Sequence, residues 1–176
     1  MGRLHLLSRL HLLSSSVAVS YMLSHLFLVL YFPPLPASTV NIFQRVQNAA
    51  ARLICNLKPC EHVTASLIKQ LHWLPVKQRM QYKLCMIMYS VHFGLTPLYI
   101  TEFVSTVAAQ TSRPGLRYAD TTNYVQPRTR TKFGKRSFSY ASPAVWNLLP
   151  DNLCRTPTIN SFKRKLKTYL FISAFG

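Results

Sequence analysis

Arg128, Arg130, Lys132, Lys135 and Arg136 place five cations within nine residues, and no acid interrupts them. Arg128-Thr129-Arg130-Thr131-Lys132 alternates, so in an extended chain the three cations share one side. Tyr124, Phe133, Phe138 and Tyr140 flank the run. Cations interleaved with aromatic rings suit a nucleic acid with exposed bases, because the cations meet phosphates and the rings stack on bases. The plainer reading is a solvated basic loop, or a short hairpin turning near Gly134. Lys163, Arg164, Lys165 and Lys167 form a second run, and Arg45 and Arg52 a smaller third set. The second run reads equally as an exposed helix face and as a strip of phosphate contacts.

The charge balance says what such residues would meet and what they cannot do. The chain has 176 residues, 21 Lys and Arg against 4 Asp and Glu, and a net charge of +17. A polyanion or an anionic membrane surface is the favoured partner. The acids are Glu61, Glu102, Asp120 and Asp151, no two closer than 18 residues. Two-metal nuclease or polymerase chemistry needs gathered carboxylates, and so does an acidic Ca²⁺ loop. Tyr118-Ala119-Asp120-Thr121 looks like a polymerase palm string, but Thr121 stands where a second aspartate would be needed. Cys55, Cys60, Cys85 and Cys154 contain no C-x-x-C pair; Cys55, Cys60, His62 and His72 make only a loose zinc pattern. Reduced, largely buried thiols are the favoured reading, and His62, His72 and His92 read as structural. No nucleophile elbow, P-loop or dinucleotide fingerprint occurs. No catalytic residue, metal or cofactor is therefore assigned.

Apolar residues make up 49% of the chain, enough for a core. Ile42, Val46, Ala49, Ala50, Leu53 and Leu57 recur at helical spacing and predict a helix over 39–57, capped by Ser38 or Thr39 and ended by Lys58-Pro59. Thr64 begins a second helix to about His72. Pro75 opens a third over 75–93, with Val76, Met80, Leu84, Ile87, Met88 and Val91 as its stripe, and Gly94 stops it. A short helix follows from Pro97 to Phe103. Residues 105–142 lose helical periodicity. Pro143 opens a short helix over 144–149, and Thr158 or Asn160 caps a last one over 158–171 with Phe162, Leu166, Tyr169 and Leu170 inward.

The beginning of the chain is different in kind. From Leu10 to Gln44 there is no charged side chain, and residues 10–32 are long enough to span a bilayer core. Arg3 and Arg9 precede this run, and Pro33, Pro34 and Pro36 stop it. Five serines, His11 and His25 dilute it. Leu4-His5-Leu6-Leu7-Ser8 is nearly repeated from Leu10, as in low-complexity sequence. The alternatives are a membrane segment and an apolar helix without a selected role.

Several strings then agree in order with a known family. They are Arg45-Val46-Gln47-Asn48-Ala49-Ala50-Ala51-Arg52-Leu53, Leu71-His72-Trp73-Leu74-Pro75-Val76, Leu95-Thr96-Pro97-Leu98-Tyr99, Pro127-Arg128-Thr129-Arg130, Gly134-Lys135-Arg136-Ser137-Phe138-Ser139, Pro143-Ala144-Val145-Trp146-Asn147-Leu148-Leu149-Pro150 and Ser161-Phe162-Lys163-Arg164-Lys165-Leu166. Over residues 36–176 the chain resembles the C-terminal end of the reverse transcriptase of LINE-type (non-LTR) retrotransposons, of the jockey-like and chicken-repeat kind. The resemblance implies the thumb and the segment after it, which would hold template RNA and primed DNA. The parent activity is an RNA-directed DNA polymerase. No position here matches the palm's metal-binding aspartates, so no catalytic residue carries over. Where the family has an Asp-Tyr-Cys-Asn string, Ser24-His25-Leu26-Phe27-Leu28 stands instead, which puts residues 1–35 outside the resemblance.

The expectation is a mainly α fold: a small helical domain with an irregular basic loop or short hairpin, preceded by an apolar N-terminal helix. Its parts are a leader (1–35), a thumb-like helical region (36–104), the basic loop (105–142) and a C-terminal helical segment (143–176). The core would form around Leu53, Leu71, Trp73, Leu84, Ile87, Trp146 and Phe162. The resemblance implies a truncated, non-catalytic fragment that binds RNA or an RNA–DNA hybrid in the nucleus or cytoplasm. The rival is a small protein anchored in a membrane through residues 10–32, with a basic cytoplasmic domain. A third possibility is a helical interaction module without retained activity.

Overall fold

The computed structural model describes residues 35–58, 60–110 and 121–176. The apolar stretch 10–32 and Tyr118-Ala119-Asp120 lie outside them. The described residues are mainly helical, with no strand among them. No helix among them is long and apolar enough to cross a membrane. The chain divides into two compact units, Met1–Val76 and Lys77–Gly176.

In the first unit, α1 (Ala37–Cys55) starts behind Pro36, whose carbonyl accepts the first helical bond from the Val40 N–H at 3.0 Å. Neither Ser38 nor Thr39 caps it, because Pro36 already holds the extended conformation that a cap position needs. Asn56 ends α1 in the left-handed region at φ 50°, which Asn tolerates better than most residues. The short α2 (Val63–Ser66) widens into a π turn, Leu67–Leu71, and His72 stops it at φ 49°. Ala51, Val63 and Leu67 form the core here, with Leu57, Leu71 and Trp73 packed against it.

The buried face of α1 differs from the expected one. Gln47, Ala50 and Ala51 are buried, whereas Leu53 is 80% exposed and Ile42 59%. The reason is a pair of amides. Gln47 Nε2 donates to the Leu74 carbonyl at 2.9 Å, and Gln44 Oε1 accepts from the Val76 N–H at 3.0 Å. These bonds fix which side of α1 faces the Leu74-Pro75-Val76 segment and turn Leu53 away.

In the second unit, α3 (Val76–His92) buries Cys85, Met88 and Tyr89, while the expected Leu84 and Ile87 are half-buried. Gly94, at φ 65°, follows it as the stop. The short helices α4 (Leu98–Thr101) and α5 (Val107–Gln110) come next. In place of a hairpin, one antiparallel bridge pairs Thr106 with Tyr124 among the described residues. A 3-10 turn, Gly134–Arg136, leads into α6 (Phe138–Trp146). Pro143 lies inside α6 rather than opening it. Its ring removes the bond to the Ser139 carbonyl, and the helix ends within a turn. Then come α7 (Asp151–Cys154) and α8 (Ile159–Phe175).

Aromatic rings dominate this core. Phe162 stacks on Tyr89 with centroids 4.3 Å apart and lies 6.0 Å from Trp146. The Tyr89 hydroxyl donates to the Thr156 carbonyl at 3.0 Å, so the buried phenol is satisfied. Asn147 clamps the backbone of Tyr124 from both sides: its Oδ1 accepts from the Tyr124 N–H at 3.0 Å and its Nδ2 donates to the Tyr124 carbonyl at 2.8 Å. Trp146 Nε1 donates to the Thr122 carbonyl at 3.0 Å. These three bonds tie residues 122–124 to α6.

Candidate nucleic-acid interface

The segment 128–136 is a compact turn in which Thr129 is half-buried and Thr131 is exposed. Thr131 Oγ1 accepts from the Gly134 N–H at 2.9 Å. A Cβ added at Gly134 would lie 3.1 Å from Thr129 Cβ, so a side chain there would press Thr129 back by a few tenths of an ångström. Backbone bonds from Arg136 N–H to the Phe133 carbonyl (2.9 Å) and from Ser137 N–H to the Gly134 carbonyl (3.0 Å) close the turn. Arg128, Arg130, Lys132 and Lys135 are exposed and Arg136 is half-buried. Phe133 is 82% exposed between Lys132 and Lys135. Its ring is therefore open to solvent and to any partner surface.

The other flanking aromatics are not alike. Tyr124 is buried, so it is a core residue and not a stacking platform. Its hydroxyl meets His92 Nδ1 at 3.2 Å. Burial, with a smaller effect from the neighbouring Cys154 thiol, pushes the Tyr124 phenol up to about 12. Phe138 and Tyr140 are half-buried in the first turn of α6.

The remaining predicted cations fall in two places. Lys163, Arg164, Lys165 and Lys167 are all exposed on α8, opposite the buried Phe162, Leu166 and Leu170. Lys163 and Lys167 stand four apart, where like charges repel, and no acid stands in the first turn of α8. Arg45 and Arg52 belong to the first unit. Arg45 is exposed, while Arg52 Nη1 donates to the Lys58 carbonyl at 3.1 Å and so helps fasten the chain beyond α1. That bond gives Arg52 a structural task that its place in the sequence did not announce.

Among the described residues, no three His, Cys, Asp or Glu side chains gather where they could hold a metal ion. Cys85 and Cys154 are buried, Cys55 is half-buried, and Cys60 is exposed rather than buried; none is disulfide-bonded. Burial, with Cys154 nearby, pushes the Cys85 thiol up to about 12, and burial pushes Cys154 to about 11. Both are protonated and poorly nucleophilic at neutral pH. His62 and His72 are exposed, so of the three expected structural histidines only His92 packs among other rings.

Ile87, Ile100, Phe103, Ser137, Phe138 and Ser139 line an open cavity of about 320 Å³. Comparison with protein-family models, with curated proteins and with solved structures finds no match to this chain.

Proposed function

We propose that this chain is a non-catalytic nucleic-acid-binding domain of the reverse-transcriptase C-terminal kind, which takes RNA or an RNA–DNA hybrid. The observation that carries it is the turn 128–136: five cations, no acid, and Phe133 82% exposed among them. A turn built only for stability would offset its cations, since unpaired like charges on one turn repel. Phosphates neutralise them, and the exposed ring offers a base a stacking surface. The exposed cations of α8 are secondary contacts, and so is Arg45. Arg52 contributes through its charge while holding the end of α1.

The test is titration of the full chain with labelled single-stranded RNA and with an RNA–DNA hybrid across a salt series. Log Kobs falls linearly with log salt. Replacing Arg128, Arg130, Lys132, Lys135 and Arg136 by Ala lowers the slope on single-stranded RNA by about 3.5 if each meets one phosphate. A variant with Lys163, Arg164, Lys165 and Lys167 replaced by Ala measures the secondary contacts, and its loss should be the smaller of the two. Unchanged affinity in the turn variant, or a loss no greater than the α8 variant shows, removes the turn as the interface.

A further inference from the structure

We infer that the cavity beside the turn is a pocket for a single unpaired nucleobase, on the same strand whose phosphates the turn holds. The inference rests on the reading of the turn as a nucleic-acid contact. Its walls are Phe103 and Phe138 with Ile87 and Ile100, so two aromatic rings and two branched aliphatic side chains face one space. At about 320 Å³ it is at the small end of ligand pockets and has room for one flat ring system. It lies against the turn by chain continuity, because Ser137 and Phe138 follow Arg136 directly. A phosphate held by Lys135 or Arg136 therefore brings its own base within reach of the mouth.

Hydrogen-bond accounting at the rim favours a base over a purely apolar guest. Ser137 Oγ gives its one hydrogen to the Gly134 carbonyl at 2.7 Å. In its 3.1 Å contact with Ser139 Oγ it must then accept, which makes Ser139 the donor. Ser139 Oγ keeps only lone pairs to offer, and these suit an amino or imino N–H on a base edge. Phe103, 61% exposed at the mouth, is open to lie against the guest. Charge decides between occupants: the cations beside the mouth complement a phosphate-bearing strand, whereas an apolar peptide segment would leave them unmatched.

The experiment uses the full chain and a single-stranded oligonucleotide carrying 2-aminopurine, next to the same strand with abasic sites. Binding quenches 2-aminopurine emission, and the abasic strand binds roughly 5- to 150-fold more weakly, the range expected for one stacked base. Phe103→Ala abolishes the quench and the preference for the base-bearing strand, while Phe103→Tyr keeps both. The salt slope stays the same in Phe103→Ala, because the phosphates are still met. If intact and abasic strands bind equally and Phe103→Ala changes nothing while the salt slope persists, the pocket inference is overturned and the turn reading stands. An apolar side chain of a protein partner then becomes the occupant. If no salt-dependent binding occurs at all, both readings fall together.

Discussion

His92 shows how one side chain records the environment that the fold builds. Its ring lies 5.7 Å from Trp146 and edge-on to Phe93, with Nδ1 against the Tyr124 hydroxyl. Burial lowers its pKa from the ordinary 6.5. The folded state therefore favours the neutral imidazole, and unfolding takes up a proton once the pH drops below the unfolded value. The contribution is complete above about pH 6.5 and is lost as pH falls towards the lower folded value. Thermal melts between about pH 7.5 and pH 5 should show a falling midpoint, with His92→Gln giving a flatter curve. Parallel curves for the two proteins would mean that His92 titrates alike in both states. Cys85 and Cys154 make the same point from the other direction, since burial keeps both thiols protonated.

At the scale of the helix, the buried faces of α1 and α8 invite direct comparison. Leu53→Ala in α1 should change stability by no more than about 0.5 kcal/mol, because the side chain is 80% exposed. Phe162→Ala in α8 should cost about 3–5 kcal/mol, because the ring is fully buried between Tyr89 and Trp146. Chemical denaturation of the two variants checks both, and a large loss at Leu53 would restore the face that hydrophobic spacing predicts. The contrast also shows what the sequence could convey. The inward side of α8 is Phe162, Leu166 and Leu170, an uninterrupted apolar stripe, and periodicity found it. The inward side of α1 includes Gln47, and that of α3 includes Cys85 and Tyr89. The Cys85 thiol is expected inside from its residue type, whereas aliphatic spacing leaves Gln47 and Tyr89 off these stripes. Their burial depends on partners far along the chain, Leu74 for Gln47 and Thr156 for Tyr89, which spacing cannot supply. The cluster of cations was legible because charge is local in sequence, whereas the 3-10 turn that carries it was not. The cavity was not, because Ile87, Phe103 and Phe138 come from three separate segments.

Charge acts at the scale of the whole molecule. Of the four acids, only Glu102, Asp120 and Asp151 fall within 77–176, so the second unit has little to set against its cations. A net charge of +17 on 176 residues works against any compact state through self-repulsion, and the turn concentrates five of those charges in nine residues. Salt screens this repulsion over a Debye length of about 8–10 Å near physiological ionic strength. The thermal midpoint of the full chain should therefore rise when salt is added to a low-salt buffer. Replacing the five turn cations by Ala should raise the low-salt midpoint and flatten its salt dependence, while the same substitutions weaken RNA binding. Opposite signs in the two measurements would show that the turn destabilises the free protein and acquires its counter-charges from a ligand. A low-salt midpoint that stays the same, or drops, in the variant would mean that the cations are already neutralised within the fold, and the case for an external polyanion would lose its electrostatic basis.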